Sequence, residues 1–239
     1  MAIEFDAASS ANSGSNNVTT LSWSHTCSGV KRILIVGIVH RSSISYCNVT
    51  SVTYAGQSLT RLVTVGSGVY CQTYLYYLLN PPTGTNTIQI TLSVARHVAA
   101  VGLSYKNVRG IDNGATNSGN STYASVSVSG ISDGAWAVGF TGNYSVTGVT
   151  DNSGQTRRAI STAYVYVRIV GSDDQDGALG WTYDAAKHWA AVGVRLLPNK
   201  VYTKVSGAWR GVEVWTKVSG IWKRCKVYTK VSGSWIRIG

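Results

Sequence analysis

The sequence predicts an all-β protein: an antiparallel two-sheet jelly-roll sandwich followed by a small β-meander of three 13-residue repeats. Three observations predict it. Val, Ser, Thr and Tyr dominate, strong helix formers are thin, and 26 glycines stand beside 3 prolines. Short alternating runs of strand-forming residues recur at roughly the 8–12-residue spacing of sandwich strands. Residues 201–238 spell one unit three times: VYTKVSGAWRGVE, VWTKVSGIWKRCK and VYTKVSGSWIRI. At 239 residues the chain holds one large β-domain and a small module. The predicted boundaries are 1–198 for the sandwich and 199–239 for the repeats.

The strands follow in order. Ala2–Ala7 opens the sandwich, and Ala8–Asn17 reads as a Ser/Asn/Gly linker. Val18–Thr26 alternates around Leu21 and Trp23. Arg32–His40 (RILIVGIVH) is a near-continuous apolar run, the mark of a central buried strand. Val49–Tyr54 and Leu59–Val65 flank Ala55-Gly56-Gln57-Ser58 as an expected hairpin. Val69–Leu79 alternates Tyr and Leu and stops at Pro81-Pro82. Thr87–Leu92 and His97–Tyr105 come next, and Gly/Asn/Ser-rich Ile111–Thr122 reads as a long exposed loop. Tyr123–Val128, Ala135–Thr141, Ser145–Thr150, Arg157–Ile160, Tyr164–Val170, Gly180–Tyr183 and Trp189–Leu197 complete the set.

Each repeat reads strand, two-residue turn, strand, with Ser-Gly supplying the positive φ of a tight hairpin. Folding about Ser219-Gly220 sets Lys217 opposite Trp222, Trp215 opposite Arg224 and Glu213 opposite Lys226. The outer turns set Lys204 opposite Trp209 and Lys230 opposite Trp235. Cation–aromatic and opposite-charge pairs of this kind stabilise a ladder by roughly 0.2–1 kcal/mol each. The expected meander has strands 201–205, 208–218, 221–231 and 234–238. A layout broken near 211–213 and 224–226, giving three separate hairpins, fits the same letters.

Formal net charge is +11 and uneven. Residues 200–239 carry nine Lys/Arg and one Glu, whereas the sandwich carries twelve Lys/Arg and nine acids. Because these cations alternate with Trp and Tyr, a solvated face whose stems cover the rings is the first reading, and a partner protein or glycan fits better than nucleic acid after it. The candidate contact residues are Tyr202, Lys204, Trp209, Trp215, Lys217, Trp222, Arg224, Tyr228, Lys230 and Trp235.

Signals for chemistry are absent. His25, His40, His97 and His188 show no metal-binding spacing, and there is no Walker A or GxGxxG. Cys27, Cys47, Cys71 and Cys225 form no CxxC pair. Free buried thiols are the default, with a Cys27–Cys47 or Cys47–Cys71 bridge left open. Asp173, Asp174 and Asp176 form the one calcium candidate, although the later Glu of a calcium loop is missing. No catalytic residue and no cofactor are expected. MAIEFDAASS lacks the basic start and apolar run of a signal peptide, and Ile33–Val39 is too short to span a bilayer. The expectation is a chain made in the cytoplasm, with no membrane partner.

The strings VTSVTYAGQSLTRL, YLYYLLNPPTGTNTIQITLS, HVAAVGLSYKNV, GAWAVGFTGN and HWAAVGVRLLP follow one pattern. Over roughly residues 2–197 the chain resembles the jelly-roll, concanavalin/laminin-G-like domains of tailed-phage virion proteins. The C-terminal units resemble the VxxKVSGxWK repeats that end many phage tail and minor structural proteins. The resemblance implies a non-enzymatic virion structural protein, a capsid-decorating (cement) or fibre-like accessory. Its partners would be capsid or tail proteins, and a homotrimer fits the analogy. The alternative it leaves open is a carbohydrate- or receptor-binding module of a tail fibre or tail tip, using the sandwich loops or the Trp face.

Overall fold

A computed structural model describes residues 1–42, 47–145 and 148–199 in full, together with Cys225. Of the repeats it otherwise describes backbone alone, at 201–205, 208–212, 215–218, 221–224, 228–231 and 234–237. In chain order the strands are β1 (Glu4–Asn12), β2 (Val18–Cys27), β3 (Ile33–Arg41), β4 (Val49–Tyr54), β5 (Gln57–Ser58), β6 (Thr60–Ser67) and β7 (Cys71–Leu79). Then come β8 (Gly84–Arg96), β9 (Val98–Lys106), β10 (Val108–Ser127), β11 (Trp136–Tyr144) and β12 (Val149–Asp151). The sandwich closes with β13 (Thr156–Ala163), β14 (Val167–Asp174) and β15 (Ala178–Pro198). No helix occurs among the described residues.

The expected antiparallel sandwich is present, built from three stacked sheets where two were expected. A central sheet runs β1-β9-β3-β7-β6. One face meets an outer sheet, β2-β8-β4-β5, and the other a long sheet, β10-β15-β11-β14-β13. The apolar run of β3 explains this layering. Ile33, Ile35 and Val39 pack toward Phe140, Ile169 and Val192 of the long sheet. Leu34, Val36 and Ile38, on the opposite side of the pleat, pack toward Val52, Ile88 and Ile90 of the outer sheet. A strand apolar on both faces needs a neighbour on each.

Four local expectations change. The chain does turn at Ala55-Gly56, where both residues take positive φ (49 and 77), as a type I′ turn requires. The returning strand is only Gln57–Ser58, and β6 then crosses to the central sheet to pair with β7. Buried Leu59 marks that crossing. The expected linker from Ala8 is strand as far as Asn12, paired with β9. The expected loop Ile111–Thr122 lies within β10, which pairs along most of its length with β15. Its polar letters are tolerated because the outward side of the ladder faces water while the partner strand satisfies the backbone. The expected strands Gly180–Tyr183 and Trp189–Leu197 are one continuous β15. Beyond a register shift at Ser121/Tyr123, β10 and β15 continue over the far face of their own sheet. Leu179 and fully buried Trp181 there pack on Ala137, Val170 and Ala191 as a third core.

The repeats form β16 (Val201–Val205) with β17 (Ala208–Val212), β18 (Trp215–Val218) with β19 (Ile221–Arg224), and β20 (Tyr228–Val231) with β21 (Ser234–Arg237). The register holds Lys204 opposite Trp209, Trp215 opposite Arg224, Lys217 opposite Trp222, and Lys230 opposite Trp235. No ladder joins one hairpin to the next among the described residues. The layout is therefore three hairpins rather than a continuous meander. Pairing across a two-residue turn closes a shorter loop than pairing between hairpins, and Gly211 weakens the long strand the meander requires. Glu213 and Lys226, the remaining expected pair, lie outside the described residues.

Candidate functional site

The sequence placed its contact candidates on the repeats. Tyr202, Lys204, Trp209, Trp215, Lys217, Trp222, Arg224, Tyr228, Lys230 and Trp235 all occupy hairpin strands, and their side chains lie outside the described residues. Among residues described in full, the aromatic signal is on the sandwich, at the end of the strands opposite Asn199.

Two hairpin tips build that end. The β6–β7 turn carries Val69 and Tyr70, 53% and 38% exposed. The β13–β14 turn carries Tyr164 and Val165, 56% and 59% exposed. Turns ordinarily expose Gly, Asn, Asp and Ser. Here they expose large apolar side chains, and backbone hydrogen bonds tie the tips to neighbouring strands. Ser42 N donates to Tyr70 O at 3.1 Å, Arg41 N to His97 O at 3.0 Å, and Ser145 N to Tyr166 O at 3.0 Å.

The rings form one connected series. His188 stacks on Tyr70 with centroids 3.7 Å apart and planes 9° from parallel. Tyr70 meets Tyr144 at 5.6 Å, Tyr144 stacks on Tyr166 at 6.4 Å, and Tyr166 meets Tyr164 at 5.6 Å and His97 at 4.6 Å. Arg41 caps the middle, its guanidinium carbon 4.8 Å from the Tyr166 centroid and 5.6 Å from that of Tyr144. The Ser67 hydroxyl donates to Gly119 O at 3.0 Å, so the 3.1 Å contact with His188 Nδ1 has the imidazole as donor. Burial, with the Arg41 charge behind it, pushes the His97 pKa below the ordinary histidine value, so this ring is neutral at pH 7. Its Nδ1 is buried without a hydrogen-bond partner among the described residues.

Tyr164 holds φ at +50. A bulky side chain in the left-handed region costs about 1 kcal/mol. Tyr164→Gly is therefore expected to leave thermal stability unchanged or to raise it by up to about 1 kcal/mol, measured by urea unfolding. A loss above that size would mean the exposed ring is part of the core.

The calcium candidates are pulled apart. Asp173 Oδ2 accepts from Tyr105 Oη at 2.8 Å and from Arg158 Nε at 2.6 Å. Asp174 Oδ1 instead caps the backbone N–H groups of Asp176 and Gly177. No group of three or more His, Cys, Asp or Glu arranged to hold a metal occurs among the described residues. Arg158→Met leaves Asp173, 4% exposed, without its cation. Because Arg158 is itself 22% exposed, the expected cost is about 2 kcal/mol, below the 3–5 of a fully buried pair. Equal urea midpoints for variant and parent would contradict it.

All four cysteines are free, and Cys27, Cys47 and Cys71 are buried. Burial pushes the Cys71 thiol up to about 12, and those of Cys27 and Cys47 up as well, so none is a poised nucleophile.

No family model, curated protein or solved structure matches the chain. Sequence reasoning missed the aromatic end because Val69-Tyr70 and Tyr164–Tyr166 read as the first residues of strands. Gly66-Ser67-Gly68 is a turn signal beside the first tip, but residues 162–167 at the second hold no Gly, Pro, Asn, Asp or Ser. The six rings come from five separate stretches of sequence that only the fold brings together.

Proposed function

We propose that this chain is a non-enzymatic accessory protein of a tailed-phage virion, fibre-like and placed to contact a host surface, with the repeats holding it to the particle. One observation carries the proposal. The aromatic end and the exit from the sandwich lie at opposite ends of the same strands. β9 starts beside His97 and ends at Lys106, next to Asn107. Asn107 O accepts from Asn199 N at 2.8 Å, and Asn199 O accepts from the Met1 ammonium at 2.7 Å. At ~3.4 Å per residue the strand separates tether from tips by ~30 Å. This is the arrangement of a display domain, held at one end and presenting apolar loops at the other.

The use of the acidic side chains supports the non-enzymatic part. Asp112, Asp151 and Asp173 each face an arginine. Burial pushes Asp6 up, but hydrogen bonds from Ser28 and Ser104 and the Lys106 charge outweigh it and hold the carboxyl below its usual value. A general acid needs the opposite shift. The phage setting comes from the resemblance of the sequence alone. Capsid decoration, the other role it implies, gives no use to an exposed aromatic end opposite the tether.

Virions assembled without this protein are expected to keep their heads intact and to adsorb poorly. Fragile heads with normal adsorption would favour decoration, and absence of the protein from purified virions would overturn the proposal.

A further inference from the structure

We infer that the aromatic end binds an acidic glycan, a chain of hexose units bearing carboxylates, with sugar faces on the tyrosines and a carboxylate on Arg41. The inference rests on the host-contact reading above and names the ligand class of the same end.

Three observations carry it. Each hairpin tip exposes one tyrosine, Tyr70 or Tyr164, beside a valine, and a tyrosine offers an apolar ring face and a hydroxyl together. A hexose has the matching duality, with C–H faces and hydroxyl rims. The second observation is Arg41. Its guanidinium lies over two rings, and no hydrogen bond or ion pair from it to another described residue is present. Among the described residues its N–H donors are uncommitted, in the fork that fits a carboxylate. The third is charge. Segments 41–42, 67–71, 96–98, 144–145, 163–167 and 187–189 contain Arg41, Arg96, Lys187 and two histidines, and no Asp or Glu. A neutral sugar would make no use of this net basic setting, and a cationic one would be repelled.

The partly buried middle of the series suits a chain better than a single sugar. Tyr70 and Tyr164 stand at its two exposed ends, joined through Tyr144 and Tyr166. A ligand spanning both tips passes over Arg41, so stacking sets the path of the chain and the guanidinium selects its charge.

The test is titration calorimetry of the full chain in 150 mM salt with tetragalacturonate and with maltotetraose. Saturable binding of tetragalacturonate, at least roughly tenfold tighter than maltotetraose, is expected. Tyr164→Gly should weaken it roughly tenfold while the protein stays folded by its melting curve. Arg41→Gln should abolish the preference for the acidic chain and spare the weak binding of the neutral one. Equal affinity for the two sugars overturns the inference. So does acidic binding that survives Tyr164→Gly, because the ligand would then sit on the basic repeats. Saturable capture of a host protein unaffected by excess tetragalacturonate would also overturn it. Poor adsorption of virions lacking the protein, with no sugar binding, would remove the glycan and keep the host-contact role. Sugar binding with normal adsorption would do the reverse.

Discussion

Replacing Phe140 with alanine is expected to lower the free energy of unfolding by about 4 kcal/mol. Phe140 is fully buried between the central and long sheets. Its ring occupies the space that glycines on both sheets leave open. A Cβ at Gly37 would stand 2.3 Å from Phe140 Cγ and Cδ1, and one at Gly171 would stand 2.9 Å from Cε1. Gly37→Ala is accordingly expected to cost about 3 kcal/mol by itself, because the ring is hemmed in and cannot swing away. In the Phe140→Ala background the same change should cost little, since the atoms it strikes are gone. Urea unfolding of the two single variants and the double gives the coupling. Additive costs would show that the glycine and the ring are independent, contrary to the packing.

Acidification should destabilise the fold before the carboxylates of Asp6 and Asp112 titrate. His25 is 2% exposed, and its Nδ1 lies 2.7 Å from Ser9 Oγ. Burial, partly opposed by the Asp6 charge, lowers its pKa to about 4. His40 and His97 shift the same way, again chiefly through burial. The folded state therefore prefers the neutral rings, and between the two pKa values the unfolded chain binds more protons. The contribution of His25 is fully present above pH ~6.5 and is lost as pH falls toward ~4, where about 3 kcal/mol has gone. Asp6 and Asp112, whose folded values are lowered, add their loss only below their ordinary carboxylate range. Urea midpoints at pH 7.5, 5.5 and 4 should fall steadily in the parent and less steeply in His25→Gln. Parallel slopes would mean that His25 titrates normally in the folded protein.

The layered core was legible where the letters alone demand burial. RILIVGIVH reads as a central buried strand, and it is the middle strand of the central sheet, where a third sheet covers its second face. Ser-Gly with alternating Lys and Trp specified the register inside each hairpin, down to Trp215 opposite Arg224. What escaped depends on partners distant in sequence. Ile111–Thr122 has loop letters and becomes strand because β15 supplies a template along it. Whether β6 returns beside β4 or crosses to β7 is decided by which sheet buries Val63 and Val65, and no local letter records that. The aromatic end is the extreme case. Gly68 hints at one tip, but at the other Tyr164 itself adopts the turn conformation that glycine would have announced.

The exit at Asn199 and the tips, at opposite ends of the strands, also decide how the domain would carry load. A pull on the tips against an anchor at Asn199 runs along the strands. Antiparallel ladder bonds lie across the strands, so this direction loads them in shear and shares the force among many. β15, which ends at Pro198, is held by β10 on one side and β11 on the other through that stretch. A pull across the strands would instead open the same bonds one after another. The protein is built to resist axial tension and to yield when peeled sideways.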